Sequence, residues 1–439
     1  MQTSAVSLAA PGTLTLNRGT RRESALMTWK WRGLTSAPAP FMGRKFLRNP
    51  VENQGHEPRL RDNPPATALP ASRQPTNVGH CRRDAGSTFR FMEGGRFDRR
   101  LAAGALAALL LLLVGGCASP PAPALRRLEF TQAQMGLPFR IVLYAPDKQT
   151  GEAAATAAFA RIQRLNDILS DYDTESELSR LSRTAGSGHA VEVGDDLWRV
   201  LRAAEDLAER SGGAFDVTVG PCVSLWRKAR REGTLPDPVR LAEARRAVGY
   251  QNLRLDSWKH TARLLVPGMK LDLGAIAKGY AADEALAVLR ERGLTRALVA
   301  GGGDMAVGDP PPGKKGWRIE VAPLDVTNAP PARFVRIAHA GLATSGDSFQ
   351  HVEIDGVRYS HIVDPLTGVG LTDHSLVTVI ARDGMTADSL ATAVSVLGAD
   401  AGLKLIEATR GAAARLVRKP GERIESVESR RFKIFEGSP

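Results

Sequence analysis

The sequence predicts an α+β fold of mixed sheets and packed helices over residues 128–432. Helix-period apolar spacing recurs in several long segments, short apolar runs read as strands, and the two do not alternate as strict strand–helix–strand units. In chain order, residues 139–143 form a short strand candidate. Residues 151–169 follow helical spacing through Ala154, Ala158, Ile162, Leu165 and Ile168. A second helix runs from Asp195, taken as its N-cap, to Arg210 and stops at Gly212-Gly213. Further helices are expected near 238–248, 275–292, 386–397 and 400–408. Strands are expected at 253–256, 262–266, 297–300, 317–322, 334–338, 375–381 and 413–417. The segment is at the larger end of single-domain size, and no internal repeat is visible in it.

The 439 residues are 43% hydrophobic and 24% charged, which is ordinary for folded protein, but a formal charge of +12 raises the question of an anionic partner. Its location answers that question. Residues 1–116 hold 17 Lys/Arg against 7 Asp/Glu, which leaves 42 against 40 in residues 117–439. The body is near neutral, and no nucleic-acid partner is expected. Residues 1–91 are rich in Pro, Arg, Gly and Asn without apolar period, so they cannot bury enough surface to offset ordering entropy. They read as a non-native or disordered upstream extension, with Met92 as the start. Arg96, Arg99 and Arg100 then flank an apolar run at 101–114 that is short for a membrane span and suited to a signal-peptide core. Val114-Gly115-Gly116-Cys117 resembles a bacterial lipobox, so residues 92–116 are expected to be removed and Cys117 lipidated. The alternative is a buried helix at 101–114. Pro120, Pro121 and Pro123 mark residues 117–127 as a tether. With Cys81 in the extension and Cys117 lipidated, Cys222 stands alone; no disulfide or cysteine metal site is expected, and Cys222 reads as a small buried apolar residue.

Four segments combine Gly, Asp and hydroxyl residues in apolar surroundings. In residues 271–280, two glycines at a strand-to-helix junction let a ligand approach the backbone, with Asp272 and Lys278 alongside. The same stretch also reads as an ordinary helix start with Asp at its positive end. In residues 385–392, helical spacing places Asp388 and Thr392 on one face, an oxygen pair suited to a hard cation such as Mg²⁺. A capping Thr386 with a back-bonded Thr392 accounts for the spacing as well. In residues 341–347 and 359–368, Asp364-Pro365 and Thr367-Gly368 are turn chemistry, which leaves His361 and Val363 at a strand end facing a loop. A His there can serve as a general base near neutral pH, or simply as a hydrogen-bonded structural residue. Gly301-Gly302-Gly303-Asp304 is a flexible turn that can pass close to phosphates, without Rossmann or P-loop spacing.

Met135-Gly136 and the segments 213–221, 271–280, 301–304, 343–347, 361–368 and 386–392 together resemble, in order, the ApbE family, over about residues 128–410. The resemblance implies an Mg²⁺-dependent FAD:protein FMN transferase with an ApbE-like single domain, commonly a lipoprotein. It implies that Met135, Tyr172, Ala214, Phe215, Asp216, Asp272, Lys278 and Val363 line the flavin pocket, Val363 through its backbone. Core packing is the alternative for Phe215 and Tyr172. The implied Mg²⁺ ligands are the Ala275 carbonyl, the Asp388 carboxylate and Thr392. His361 matches the family's proposed catalytic histidine, and Asp364 is an orienting group or alternative base. The sequence departs from the pattern at Asp347-Ser348-Phe349, where many relatives carry Tyr after the Asp, and at the basic, irregular stretch 227–236.

The reaction so implied moves the FMN half of FAD onto a threonine hydroxyl of an acceptor protein and releases AMP. The expected acceptors are exported domains of membrane redox complexes. The chain itself is expected on the periplasmic side of a membrane, the inner one favoured by such acceptors, although Ala118 gives no Asp-type retention signal. Two other readings keep the same site: an exported metal-dependent FAD pyrophosphatase, with water as nucleophile, and an FAD-binding lipoprotein without turnover.

Overall fold

Residues 124–325, 333–348 and 350–436 are described by a computed structural model. The extension, signal segment, lipobox and Cys117 lie outside these residues. Strands β1 (Arg126–Gln134) and β2 (Leu137–Ala145) pair antiparallel along their full length. Met135 and Gly136 join them with φ of +50° and +76°, the positive pair that matches a two-residue hairpin turn to strand twist. The polar strand β1, carrying Arg127 and Glu129, is the sheet edge, where charge discourages pairing with other chains.

Helix α1 (Lys148–Leu169) starts at Asp147, whose side chain accepts the Thr150 amide at 2.8 Å, a cap that contributes about 1 kcal/mol. It buries Ala154, Ala158, Ile162 and Leu165, the face expected from the spacing. There follow α2 (Glu177–Ser182), β3 (Val191–Glu192) and α3 (Asp195–Arg210). The N-cap of α3 is Gly194 rather than Asp195: Asp195 is already helical and meets the first turn as a charge, with no side-chain cap bond. Gly212 and Gly213, with φ of +63° and +86°, end it as expected.

Helix α4 (Gly220–Glu232) overturns the reading of 227–236 as irregular for residues 227–232, while 233–236 are irregular as expected. Pro221 is tolerated in its first turn, where its missing N–H costs nothing, and Gly233 in the left-handed region closes it. Cys222, Trp226 and Ala229 bury one face with Val363. Helix α5 (Pro238–Arg246) and strands β4 (Leu253–Asp256) and β5 (Thr261–Leu264) precede α6 (Ala277–Glu291). Strands β3, β5 and β4 form a small antiparallel sheet.

The remaining strands are β6 (Ala297–Gly301), β7 (Asp304–Val307), β8 (Trp317–Val321), β9 (Arg333–Ile337), β10 (Ala340–Gly346), β11 (His351–Ile354), β12 (Val357–Ser360) and β13 (Ser375–Ala381). Helix α7 (Gly384–Ala408) and strands β14 (Ala413–Arg418) and β15 (Glu425–Glu428) follow. The two helices expected at 386–397 and 400–408 are both present within α7, separated by a kink at Gly398, whose φ of +73° is non-helical. An eight-stranded antiparallel sheet runs β1-β2-β6-β7-β10-β13-β14-β15. Side chains alternate across it. Ile141, Leu143, Val377 and Val379 face the helical layer that includes α1, α6 and α7, while Val142 and Ile380 face the two-stranded sheet of β8 and β9 with Trp317 and Ile319. Both faces are covered, so β13 is buried throughout and is mostly apolar, with Thr378 its one interior polar residue. The α+β expectation therefore holds. Among the described residues, α7 has the length and hydropathy of a membrane span, yet Ala387, Leu390, Ala391 and Val394 bury it in the core.

Candidate active site

Helices α6 and α7 cross at two glycines. A Cβ on Gly279 would stand 2.1 Å from the Gly384 carbonyl oxygen, and one on Gly384 would stand 2.7 Å from the Gly279 oxygen. This approach lets each helix cap the other. Asp388 Oδ2 accepts the amide of Gly279, third residue of α6, at 3.0 Å. In return Asp283 of α6 accepts the amides of Gly384 and Met385 at 2.7 and 2.8 Å. Desolvation pushes the Asp283 carboxyl up to about 7, against these two hydrogen bonds.

The crossing also positions Lys278. Its Nζ lies 2.6 Å from Asp304 Oδ2, at the start of β7, and 3.3 Å from both oxygens of Asp388. Both carboxylates are buried, so two acids share one ammonium. Burial pushes the Asp304 carboxyl up to about 7, the negative charge of Asp388 adds to the rise, and Lys278 opposes it. Burial disfavours the Lys278 ammonium, but the two carboxylates outweigh it and hold its pKa above the usual range. Asp304 was not singled out in the sequence as a side chain; its only signal was the glycine turn before it. That turn lies beside the Met135-Gly136 turn, since Phe139 pairs with Gly301 and a Cβ on Gly302 would meet Leu137 at 2.9 Å. Met135 packs partly buried there.

One turn beyond Asp388, Thr392 Oγ1 stands 3.5 Å from Ser345 Oγ on β10, and Ala275 sits in the turn ahead of α6. Among the described residues, no three His, Cys, Asp or Glu side chains gather as a metal site. Mg²⁺ does not require such a cage: it usually takes one or two carboxylates and completes its shell with phosphate oxygens and water. Asp388, Thr392 and the Ala275 carbonyl are hard oxygen donors, beside a carboxylate pair in excess over its ammonium. These residues fit the ion.

Asp272 belongs to a second cluster. Its Oδ1 accepts the Gly274 amide at 2.8 Å and its Oδ2 pairs with Arg227 Nη2 at 2.7 Å. Arg227 also binds Asp171, which Lys270 approaches at 3.5 Å. Desolvation and the neighbouring Asp171 raise the Asp272 carboxyl above its ordinary value, and Arg227 opposes them. The Arg227 guanidinium lies 4.2 Å from the centroid of the Tyr172 ring, a cation–π contact on one face. Tyr172 is 76% exposed, so core packing does not explain it.

His361 follows β12 directly. Both its amide and its ring Nδ1 approach the Gln350 carbonyl oxygen at 3.1 Å. A carbonyl can only accept, so Nδ1 carries the proton and Nε2 keeps its lone pair. Desolvation lowers the ring's pKa to about 4, assisted by the charges of Arg230 and Lys278, so it is neutral at pH 7. The expected orienting role of Asp364 goes instead to Gln350. Asp364 spends its oxygens on the Leu366 amide at 2.8 Å and the Thr367 hydroxyl at 3.0 Å, a turn-stabilising pattern. That loop is fixed to α4 by Trp226 Nε1, which donates to Gly368 O at 2.8 Å, and Val363 packs beneath it with Cys222.

Ala214 and Phe215 are buried, and the Phe215 ring joins the core, as its alternative reading had it. Asp216 is buried and structural in its contacts. It accepts the Thr218 amide and hydroxyl at 2.8 and 2.7 Å and the Tyr250 amide at 2.8 Å, and desolvation raises its carboxyl. Asp216 thereby holds the loop in shape.

Fold and site together define an α+β protein with a neutral histidine, a partly buried ammonium and paired carboxylates, the equipment of a group-transfer enzyme acting on phosphates. The model of the ApbE family matches residues 135–416. An FAD:protein FMN transferase of Klebsiella pneumoniae is 30% identical over 334 residues, 74% of this chain and 94% of that one. One of Treponema pallidum is 32% identical, covering 72% and 91%. The solved flavin transferase ApbE from Vibrio cholerae matches with TM-score 0.65 at 29% identity, covering 71% of this chain and 99% of that one. The ApbE protein from Thermotoga maritima gives 0.63 at 31% identity, with 71% and 100% covered. This chain belongs to the ApbE family.

Proposed function

We propose that this protein transfers the FMN moiety of FAD to a threonine hydroxyl of an acceptor protein and releases AMP. The observation that carries the reading is the Nδ1 proton of His361 held on the Gln350 carbonyl, which leaves a neutral Nε2 as proton acceptor. The relatives named FAD:protein FMN transferase supply the reaction class. The threonine oxygen attacks the phosphorus on the FMN side while Nε2 takes its proton. The new O–P bond forms as the bond to the bridging oxygen breaks, and AMP leaves with that electron pair. Tyr172 offers its open ring face to a planar ligand, and Arg227 braces its other face and Asp272. Met135, Ala214, Phe215, Asp216 and Val363 shape the flavin pocket by backbone and packing. Lys278 holds Asp304 and Asp388 together beside the place proposed for the diphosphate.

Mg²⁺, held by Asp388, Thr392 and the Ala275 carbonyl, would neutralise charge on the diphosphate. Export and anchoring through Cys117, with the domain on the periplasmic side, rest on the basic flank, apolar run and lipobox of residues 96–117. Acceptors in exported parts of membrane redox complexes suit that placement. The test is intact-mass analysis of an acceptor incubated with the protein and FAD. A covalent flavin adduct with Mg²⁺ and none with EDTA is expected; free FMN with an unmodified acceptor would instead mean hydrolysis.

A further inference from the structure

Helix α4 carries Arg227 and Arg230 one turn apart on the same side, in opposite electrostatic settings. Arg227 is neutralised twice, by Asp171 and Asp272. Arg230 forms no ion pair among the described residues. Its side chain is half-buried, and its Nη1 meets the side-chain oxygen of Gln350 at 3.3 Å. Gln350 is the residue whose main-chain oxygen accepts the hydrogen bond from His361 Nδ1 at 3.1 Å. One residue therefore joins the unpaired guanidinium to the ring that acts as base. The charge of Arg230 also acts on both Tyr172 and His361, so it lies within electrostatic reach of each.

A partly desolvated cation without an anion is unfavourable unless a ligand supplies one. The guanidinium fork matches two phosphate oxygens, which a lysine ammonium cannot do in the same geometry. We infer that Arg230 binds the flavin-side phosphate of the substrate and stabilises the charge on its oxygens as the phosphoryl group passes to the acceptor. This rests on the transferase reading given above and adds a phosphate contact to it. It also gives a role to the basic stretch that departs from the family pattern.

The test uses the full-length protein in detergent, with FMN and riboflavin as probes, read by flavin fluorescence quenching. The two differ only in the phosphate. The wild-type protein is expected to bind FMN about 10-fold more tightly than riboflavin, the effect of one charge-assisted contact. In Arg230→Gln the FMN affinity falls to that of riboflavin while riboflavin binding is unchanged, and Arg230→Lys is intermediate. An Arg230→Gln protein that keeps the wild-type preference, or that loses both flavins equally, overturns the assignment. Acceptor flavinylation by the wild-type protein, run alongside, separates the two levels. Turnover with an unaltered Arg230→Gln preference removes only the Arg230 contact, whereas no turnover and no flavin preference in the wild type removes the transferase reading with it.

Discussion

The carboxylate of Asp388, on α7, accepts the main-chain amide of Gly279, on α6, at 3.0 Å. The bond exists because neither Gly279 nor Gly384 has a side chain to hold the helices apart. Gly279→Ala is therefore expected to force α6 and α7 apart, since backbone atoms rather than a flexible side chain occupy the space. The cost should be about 1–3 kcal/mol, seen as a lower Tm, together with loss of flavin transfer. An alanine variant with wild-type Tm and activity would contradict the crossing.

Asp388 has two duties, a helix cap and a partner for Lys278, and the proposal adds a third as Mg²⁺ ligand. Asp388→Asn keeps an oxygen for the Gly279 amide but removes the charge. It should fold with a Tm near wild type while losing Mg²⁺-stimulated turnover. Asp388→Ala should lose both, because the amide and the Lys278 ammonium are then left without that partner. Thermal melts and an Mg²⁺ titration of activity, run together, distinguish the duties.

For His361, the folded-state pKa of about 4 lies below the ordinary 6.5. The fold therefore favours the neutral ring: its contribution to stability is present above about 6.5 and is lost as pH falls through about 4. The base form persists through the same range, so the acid limb of kcat/KM is expected nearer pH 4 than pH 6.5. His361→Ala should lower kcat by roughly 10²–10⁴-fold and remove that limb. A limb at 6.5 that persists in the alanine variant would show another group to be the base.

The Cys222 thiol is fully buried, and burial pushes its pKa up to about 11. It should resist iodoacetamide at pH 8 in the native protein and react after denaturation, as peptide mapping would show. Stoichiometric native labelling would contradict its placement.

The expectations that succeeded were those where one face of an element meets the core. Ala154, Ala158, Ile162 and Leu165 mark α1 because only that face is buried, and β13 is legible because both its faces are. Strand β1 was missed because an edge strand carrying Arg127 and Glu129 has no apolar signature. Strand β10 was missed because Gly341, Thr344, Ser345 and Gly346 resemble a loop, although Gly341 and Gly346 are there to let neighbouring backbone pass. Helix α4 was obscured by its arginines, of which Arg227 turns inward to Asp171 and Asp272. At the site, Asp388 and Lys278 were legible by spacing and resemblance, but Asp304, the second carboxylate on Lys278, comes from a separate strand. Gln350 was invisible because it acts on His361 through its main-chain oxygen, which no side chain reveals.

The central claim is that the diphosphate of FAD is broken in order to modify a protein. The most direct measurement is the ratio of AMP released to flavin covalently bound, taken over one time course with acceptor and Mg²⁺. The account predicts one AMP for each flavin incorporated, and no AMP when the acceptor threonine is replaced by alanine. AMP and free FMN accumulating at the same rate without that threonine would contradict it.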